Sequence, residues 1–379
     1  MKTSKRVEGG KEPASRGADI YAPRSSGAFY SPFSLGIDNM EQLILVDFKK
    51  DPDEFYNTFE LQQARDANGQ RKLLAIAYRK DGTADVYHQA GYPFCSQATI
   101  LNDVRFHVRP MEDARFAVHP DRLDVYFAFA DGIGRPIEVK VSESDRSRKN
   151  PFFLLAPIGT VSRQPAVFPI YSLHGMSFAK RKFSRIEIRI GKRKHAPDSF
   201  PLPIDGARNY LTRYSPDTFN VDWNKNFQGA LRPLRRTGDN NAEDDGTTYE
   251  LSDHGGHPEI KRMSAKSKKH QVDIRFSPPF PEMACIRDGA RISGEFSIAT
   301  DGSTGVILGE YALQKIEDKA TIRLRPVGGW RPKERRLGLK LLFFMVKMFS
   351  EWPKSYAWNA EVIFDKTGQA TMKSRWERI

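Results

Sequence analysis

Hydrophobic and polar residues alternate most regularly between positions 291 and 330. Three such runs follow one another there, separated by short polar turns at Asp301-Gly302 and Glu317-Asp318. Alternation with a period of two indicates a strand with one buried and one exposed face. Short polar turns between such strands are typical of hairpins. The stretch therefore predicts an antiparallel meander.

The same pattern recurs along the chain. Residues 123–129 and 137–141 alternate on either side of the turn Asp131-Gly132-Ile133-Gly134, which predicts a hairpin. Residues 186–190 predict a further strand, and residues 358–376 a final hairpin. No alternation of strands and helices is visible, which argues against a doubly wound sheet.

Two hydrophobic stretches depart from this pattern. Residues 152–170 are interrupted by prolines, which predicts an edge strand or an extended loop because proline cannot donate to a strand ladder. Residues 337–349 are dense in Leu, Phe and Met, and their length favours a helix over a buried strand. Basic residues at 331–336 raise the alternative of an interfacial membrane helix. Hydrophobic residues nearly all round the segment favour burial instead.

Chain length and polarity suggest the domain organisation. A prior of roughly 150 residues per domain gives two domains for 379 residues. We predict a flexible N-terminal arm (1–30), an N-terminal β domain (31–235) and a C-terminal β domain (249–379), with an exposed loop at 235–248. The predicted class is all-β, with two antiparallel barrel or sandwich domains and one short helix near the C-terminus.

Glycines accompany the strands of the second half. Gly294-Glu295-Phe296, Gly309-Glu310-Tyr311 and Gly328-Gly329-Trp330 look like the strands of a lipocalin-type barrel. The chain resembles tandem lipocalin-like (calycin) proteins similar to bacterial carotenoid hydratases and related cyclases. The resemblance implies a barrel cavity for an apolar molecule and, in some members, acid-catalysed addition or cyclisation at alkenes. Phe296 stands where the lipocalin Gly-x-Trp signature has Trp, and no catalytic residue is carried over.

The net charge is +13 and the isoelectric point about 9.6, which favours polyanions and anionic surfaces as partners. The basic runs lie in predicted loops, and no RNA-recognition motif, zinc finger or helix-turn-helix is apparent. They are residues 180–182, 192–194, 232–236, 266–269 and 335–336. Binding of nucleic acid or of an anionic surface is therefore the alternative hypothesis.

Cysteine content and hydropathy suggest the compartment. Cys95 and Cys285 are far apart and lack a CxxC pattern, so neither a disulfide framework nor a structural zinc site is expected. No secretory signal and no apolar run of about 18 residues is visible. We expect a cytoplasmic protein without a transmembrane segment. P-loop, Rossmann and Gly-x-Ser-x-Gly patterns are absent.

The densest polar cluster contains Asp253, His254 and His257. Imidazoles and carboxylates bind divalent metals, but a zinc site needs further ligands, so no metal is predicted. The alternatives are a pocket-lining role and a solvated loop.

A second group of candidates comes from the meander. Glu310 acts as a general acid if it faces a ligand cavity, where its pKa would rise, and is otherwise simply exposed. Tyr311 and Trp330 either line such a cavity or pack in the core.

The predicted function is binding of an apolar or amphipathic small molecule in a barrel or inter-domain cavity, with or without cofactor-independent acid–base chemistry of the hydratase or cyclase type. No cofactor is predicted, and the sequence does not indicate an oligomeric state. A third alternative is an interaction module that has no pocket.

Overall fold

The protein is all-β, with 62% of it in strands and 6% in helices in the computed structural model. The structure describes residues 20–23, 28–37, 40–93, 104–111, 114–146, 149–157, 165–204, 206–267, 270–300, 303–346 and 348–379. Among these residues no helix is long and apolar enough to cross a membrane.

The strands of the first part of the chain are β1 (Leu35–Ile37), β2 (Met40–Asp47), β3 (Tyr56–Arg65), β4 (Arg71–Arg79), β5 (Ala84–His88), β6 (Val104–Val108), β7 (Arg115–Val118), β8 (Leu123–Ala130), β9 (Pro136–Glu143), β10 (Phe152–Ala156), β11 (Phe168–Lys180), β12 (Ser184–Ile190), β13 (Arg193–His195), β14 (Asn209–Ser215) and β15 (Asp217–Trp223).

The strands of the remaining part are β16 (Phe227–Ala230), β17 (Arg235–Gly238), β18 (Asn241–Asp244), β19 (Thr247–His254), β20 (His257–Ser267), β21 (His270–Phe280), β22 (Arg291–Thr300), β23 (Val306–Ile316), β24 (Lys319–Arg331), β25 (Tyr356–Phe364) and β26 (Ala370–Arg378). The helices are α1 (Leu337–Met345) and the single turn α2 (Met348–Glu351), with 3₁₀ turns at Met283–Cys285 and Trp352–Ser355.

The strands form three sheets. A ten-stranded sheet has the order β1-β15-β11-β14-β2-β3-β4-β5-β6, with β10 also paired to β11. A five-stranded sheet has the order β13-β12-β9-β8-β7, and an eleven-stranded sheet runs β16-β26-β25-β24-β23-β22-β21-β20-β19-β18-β17. Among the described residues, neighbouring strands pair antiparallel except β5 and β6.

One face of the ten-stranded sheet packs on the five-stranded sheet. Phe59 and Leu61 of β3 share a core with Val125 and Phe127 of β8, and all four are fully buried. Successive strand residues point to opposite faces, so Glu60 and Gln62 lie on the other face of β3. That other face is therefore not part of this sandwich.

The ten-stranded sheet curls so that its other face becomes concave. Leu45, Glu60 and Ile76 are register partners on this face. Tyr171, on a different strand of the same sheet, places its hydroxyl 2.8 Å from a carboxylate oxygen of Glu60. Two strands separated in the sheet order can meet in this way only if the sheet bends towards itself. The concave face of this half-barrel holds the cavity described below.

The largest hydrophobic core joins the two halves of the chain. The rings of Phe168 and Trp376 are stacked with centroids 5.0 Å apart, and those of Trp223 and Phe296 meet at 4.9 Å. The eleven-stranded sheet thus packs on β11 and β15 of the ten-stranded sheet. The predicted domain limits stay a prediction, but the two halves share one core.

The predicted meander is confirmed as β22, β23 and β24, and the predicted hairpins as β8–β9 and β25–β26. Glycines allow close ring packing in the meander, since a Cβ on Gly309 would lie 2.1 Å from the Phe296 ring. The predicted helix is α1, which ends at Met345.

Three other expectations need correction or completion. The loop expected at 235–248 is instead β17, β18 and the start of β19, at the exposed edge of the eleven-stranded sheet, where polar residues face solvent. In 152–170, β10 is an edge strand but β11 is interior, and 158–164 lie outside the described residues. Of the predicted arm, 1–19 and 24–27 also lie outside them, whereas Tyr21, Phe29 and Tyr30 are buried in the core.

Candidate functional site

A cavity of about 260 Å³ lies on the concave face of the ten-stranded sheet. β2, β3 and β4 form one side of it, and β10 and β11 form the other. Its walls are mostly hydrophobic and include Leu45, Leu154, Leu173, Met176 and Phe349. Hydrophobic pockets with a few convergent polar groups are the usual form of a small-molecule site.

A buried carboxylate forms part of the wall of this cavity. The side chain of Glu60 is almost fully buried, and its Oε1 accepts hydrogen bonds from Gln62 Nε2 at 2.7 Å and from Tyr171 at 2.8 Å. Its Oε2 accepts a hydrogen bond of 2.6 Å from Tyr78. Tyr92 extends the network by donating to Gln62 Oε1 at 3.1 Å. We call these five residues the Glu60 cluster.

The two tyrosines that contact Glu60 are held in their protonated form. Burial raises the pKa of Tyr78 and of Tyr171 well above the ordinary value, and the negative charge of Glu60 adds to this rise. Both phenols therefore remain hydrogen-bond donors throughout the physiological pH range. Since Glu60, Tyr78 and Tyr171 all line the cavity, a bound polar group would meet a carboxylate flanked by two hydroxyls.

Cationic side chains lie at another part of the cavity wall. Arg213 forms a hydrogen-bonded ion pair with Asp47, and the exposed Lys49 lies 3.6 Å from the same carboxylate. Burial opposes ionisation of Asp47, but the charges of Arg213 and Lys49 outweigh it and lower the pKa of Asp47. Arg79 also lines the cavity and donates to Asp85 at 2.8 Å. The cavity is therefore amphipathic, with a hydrophobic body and positive charge at its polar side.

The first group of sequence-predicted residues lies elsewhere, at the hairpin of β19 and β20. Asp253 is exposed and His254 half-buried, and His254 pairs across the hairpin with His257. His257 is buried, with Nδ1 2.8 Å from Glu282 Oε2 and its ring stacked on Tyr21 at 4.2 Å. None of these residues lines the cavity.

The second group lies in the meander. Glu310 is exposed on the outer face of the eleven-stranded sheet, opposite Glu295 and Arg325. Tyr311 is buried in the core and donates to the carbonyl of Pro278 at 2.7 Å. Trp330 is buried too, and its Nε1 donates to the carbonyl of Thr304 at 2.9 Å. The six predicted residues therefore do not converge on one site.

One buried group in the described part of the chain has the donor types that bind a metal ion. Donor atoms of His257, Glu282 and Cys285 all lie within 4.8 Å of one another. Imidazole, carboxylate and thiolate are all zinc ligands, and three protein ligands leave a fourth position open. His257 was singled out from the sequence, whereas Glu282 and Cys285 join it through the chain reversal at the end of β21.

Binding of nucleic acid through the basic runs would require that these runs lie together on one face of the protein. Residues 180–182 precede β12 and residues 192–194 follow it. Because β12 has 7 residues, the two runs are separated by roughly 23 Å along that strand. They therefore lie at opposite ends of one sheet strand and do not form a single patch.

Comparisons with known proteins give no further guide to the site, because no protein-family model, no curated protein and no solved structure matches this chain. The cavity geometry therefore carries the functional argument.

Proposed function

We propose that the protein binds a small apolar or amphipathic molecule in the cavity on the concave face of the ten-stranded sheet. The observation that carries this proposal is the combination of a mainly hydrophobic wall with the buried Glu60 cluster. A hydrophobic wall favours the apolar body of a ligand, while a few fixed polar groups orient it. The lipocalin resemblance seen in the sequence agrees with such a cavity.

The size of the cavity limits the ligand. Its volume of about 260 Å³ is just below the roughly 300–1,000 Å³ range of small-molecule pockets, so the ligand is small. A ligand hydroxyl could donate to Glu60, and an acidic head group would suit the side near Lys49 and Arg213. We assign any acid–base step to Glu60, since it is the one carboxyl among the described residues that line the cavity.

A thermal-shift assay with decanol and decanoate tests the proposal. Binding at 100 times the dissociation constant should stabilise the fold by about 2.7 kcal/mol, which corresponds to several degrees in Tm. Leu45→Trp should fill the cavity and abolish this shift, because Leu45 lines the wall and is only half-buried. Leu202→Trp is the matched control, since Leu202 is exposed and does not line the cavity.

Equal shifts in wild type and in Leu45→Trp would contradict binding at this site. Native mass spectrometry of the purified protein, followed by denaturing extraction, gives an independent readout of any retained molecule. Nucleic acid that co-purifies and is removed by salt would instead favour the alternative function, since binding through phosphate contacts weakens steeply with ionic strength.

A further inference from the structure

Helix α1 exposes a continuous hydrophobic face. The exposed side chains are Leu337, Leu341, Phe344 and Met345, with exposed fractions of 83%, 57%, 77% and 64%. Their spacing of i, i+4, i+7 and i+8 places them on one side of the helix. Exposed hydrophobic residues are common singly, but a contiguous group of large ones marks an interaction surface.

The opposite face of α1 fixes the orientation of the helix. Leu339, Leu342 and Phe343 are buried, and the Phe343 ring meets Trp330 at 5.1 Å and Phe152 at 6.0 Å. The core therefore already occupies one side of the helix. The exposed side cannot turn inward without losing these ring contacts.

Positive charge lies at the N-terminal end of the exposed face and within α1. Arg331, Lys333 and Arg335 precede the helix and Lys340 lies within it, and all four are exposed. Between these cations, Glu334 accepts a hydrogen bond of 2.6 Å at its Oε2 from Arg336 Nη2. This hydrogen bond helps to lower the pKa of Glu334 to about 2, and its charge is compensated by Arg336. Positive charge next to a hydrophobic helix face is typical of helices that bind at an anionic membrane surface.

The segment also reaches the cavity. Phe349 of α2 lines the cavity wall, and its ring lies 5.9 Å from that of Phe343 in α1. One short helical segment thus has one part at the exposed hydrophobic face and another at the cavity. A hydrophobic ligand that leaves a bilayer at this face would be close to the cavity.

We propose that α1 is a docking site for an anionic phospholipid bilayer, with its exposed face inserted at the interface and the flanking cations in contact with head groups. A helix of 9 residues is about 14 Å long and roughly 10 Å wide, so its exposed face is far smaller than the roughly 800 Å² that each partner buries in a stable protein complex. Peripheral insertion needs only such a small hydrophobic patch together with positive charge. Docking itself does not depend on the proposed ligand binding, although the position of Phe349 connects the two.

Flotation with phospholipid vesicles tests the proposal on the full chain. Wild type should float with vesicles of phosphatidylcholine and phosphatidylserine, and much less with phosphatidylcholine alone. Leu341→Glu combined with Phe344→Glu should weaken binding by about tenfold or more, because two carboxylates replace inserted side chains. Ile133→Glu with Ile316→Glu is the matched control, since both residues are exposed and hydrophobic and lie outside α1, in the β8–β9 turn and at the end of β23, and it should float as wild type does.

Two further double variants distinguish the effect of charge beside α1 from the effect of the overall net charge on flotation. Lys333→Glu with Arg335→Glu should reduce flotation with phosphatidylserine vesicles. Lys192→Glu with Lys194→Glu changes the net charge equally, in the turn after β12 and in β13, and should leave flotation nearly unchanged. Equal loss in both pairs would refute a specific role of α1 and leave only attraction by the overall charge.

Other outcomes overturn the proposal directly. Wild type that stays unbound with phosphatidylserine vesicles refutes it, as does undiminished flotation of the Leu341→Glu, Phe344→Glu variant. A wild-type dimer that this variant dissociates would mean that a second copy covers the face. A cooperative melting transition near the wild-type Tm shows that the variant is folded whether or not decanol binds, and so keeps failure of docking distinct from failure of ligand binding.

Discussion

Removal of the Tyr78 hydroxyl deletes one of the three hydrogen bonds that the buried carboxylate of Glu60 accepts. Tyr78→Phe keeps the ring and its packing, so the change isolates the contact of 2.6 Å to Glu60 Oε2. We expect Tyr78→Phe to lower the free energy of unfolding by about 2–3 kcal/mol, because hydrogen bonds to charged groups contribute about 1.5–3 kcal/mol.

The structure also predicts the order of two related variants. Oε1 of Glu60 accepts hydrogen bonds from both Tyr171 and Gln62, at 2.8 and 2.7 Å. Tyr171→Phe also removes the hydroxyl that accepts a hydrogen bond of 2.8 Å from Gln62 Nε2, but this amide and the Glu60 oxygen keep their bond to each other. Since neither group loses its last partner, the expected loss is smaller, about 1–2 kcal/mol. Tyr78→Phe should therefore be the more destabilising of the two changes.

Urea unfolding followed by circular dichroism measures both free energies. A double-mutant cycle with Glu60→Gln isolates the coupling between Tyr78 and Glu60, which should be at least about 1 kcal/mol. Tyr126→Phe is the control, because its hydroxyl donates to Glu138 at 3.3 Å in a partly buried position and should contribute less than about 0.5 kcal/mol. A Tyr78→Phe variant as stable as this control would refute the assigned network.

Three further predictions follow from features described above. The folded protein holds the phenolic protons of Tyr78 and Tyr171 more tightly than the unfolded chain does, so their contribution to stability should be full below about pH 10 and fall above it by up to about 1.4 kcal/mol per pH unit for each of the two. Urea titrations should show a shallower fall with pH in Tyr78→Phe and in Tyr171→Phe. Gly309→Ala should lower the free energy of unfolding by about 3 kcal/mol because its Cβ has no room, whereas Gly238→Ala, with nothing within 4 Å, should change it little in the same urea experiment. His257→Ala should lower the free energy of unfolding by about 3 kcal/mol, because it removes the imidazole that contacts the buried carboxylate of Glu282. Calorimetry should show a much smaller loss for His254→Ala, since His254 is only half-buried.

Local alternation predicts the strands of this protein well. β22, β23 and β24 were all predicted, since each has a buried and an exposed face that differ in polarity along the strand itself. The polar edge strands β17 and β18 were missed for two reasons. All four residues of β17 are exposed, and β18 buries only the small residue Ala242 among polar neighbours. Periodicity carries little signal where few large hydrophobic residues mark a buried face.

The cavity could not be predicted in the same way. The local alternation predicts an ordinary strand in which Phe59 and Leu61 are buried and Glu60 and Gln62 face solvent. That face is buried only because the sheet curls and brings Tyr171 onto Glu60 across 111 positions of sequence. A polar residue on a strand therefore indicates an exposed face or a buried network equally well until the distant strand is known. The candidates chosen instead lie in locally conspicuous patterns, but the fold leaves Glu310 exposed and buries Tyr311 and Trp330 in the core.

The burial of the first described residues has a consequence for the order in which the chain folds. Tyr21 forms a bridge with Ile286, and the backbone amide of Ala22 donates to the carbonyl of Cys285 at 2.8 Å. Phe33 likewise packs on Phe276 of the eleven-stranded sheet. Tyr21 therefore meets Ile286 only after 265 further residues have been made, and Phe33 meets Phe276 only after 243. Because contacts of such long sequence separation form slowly, we expect this segment to stay exposed while the intervening chain is synthesised and the joint core to close as a late folding step.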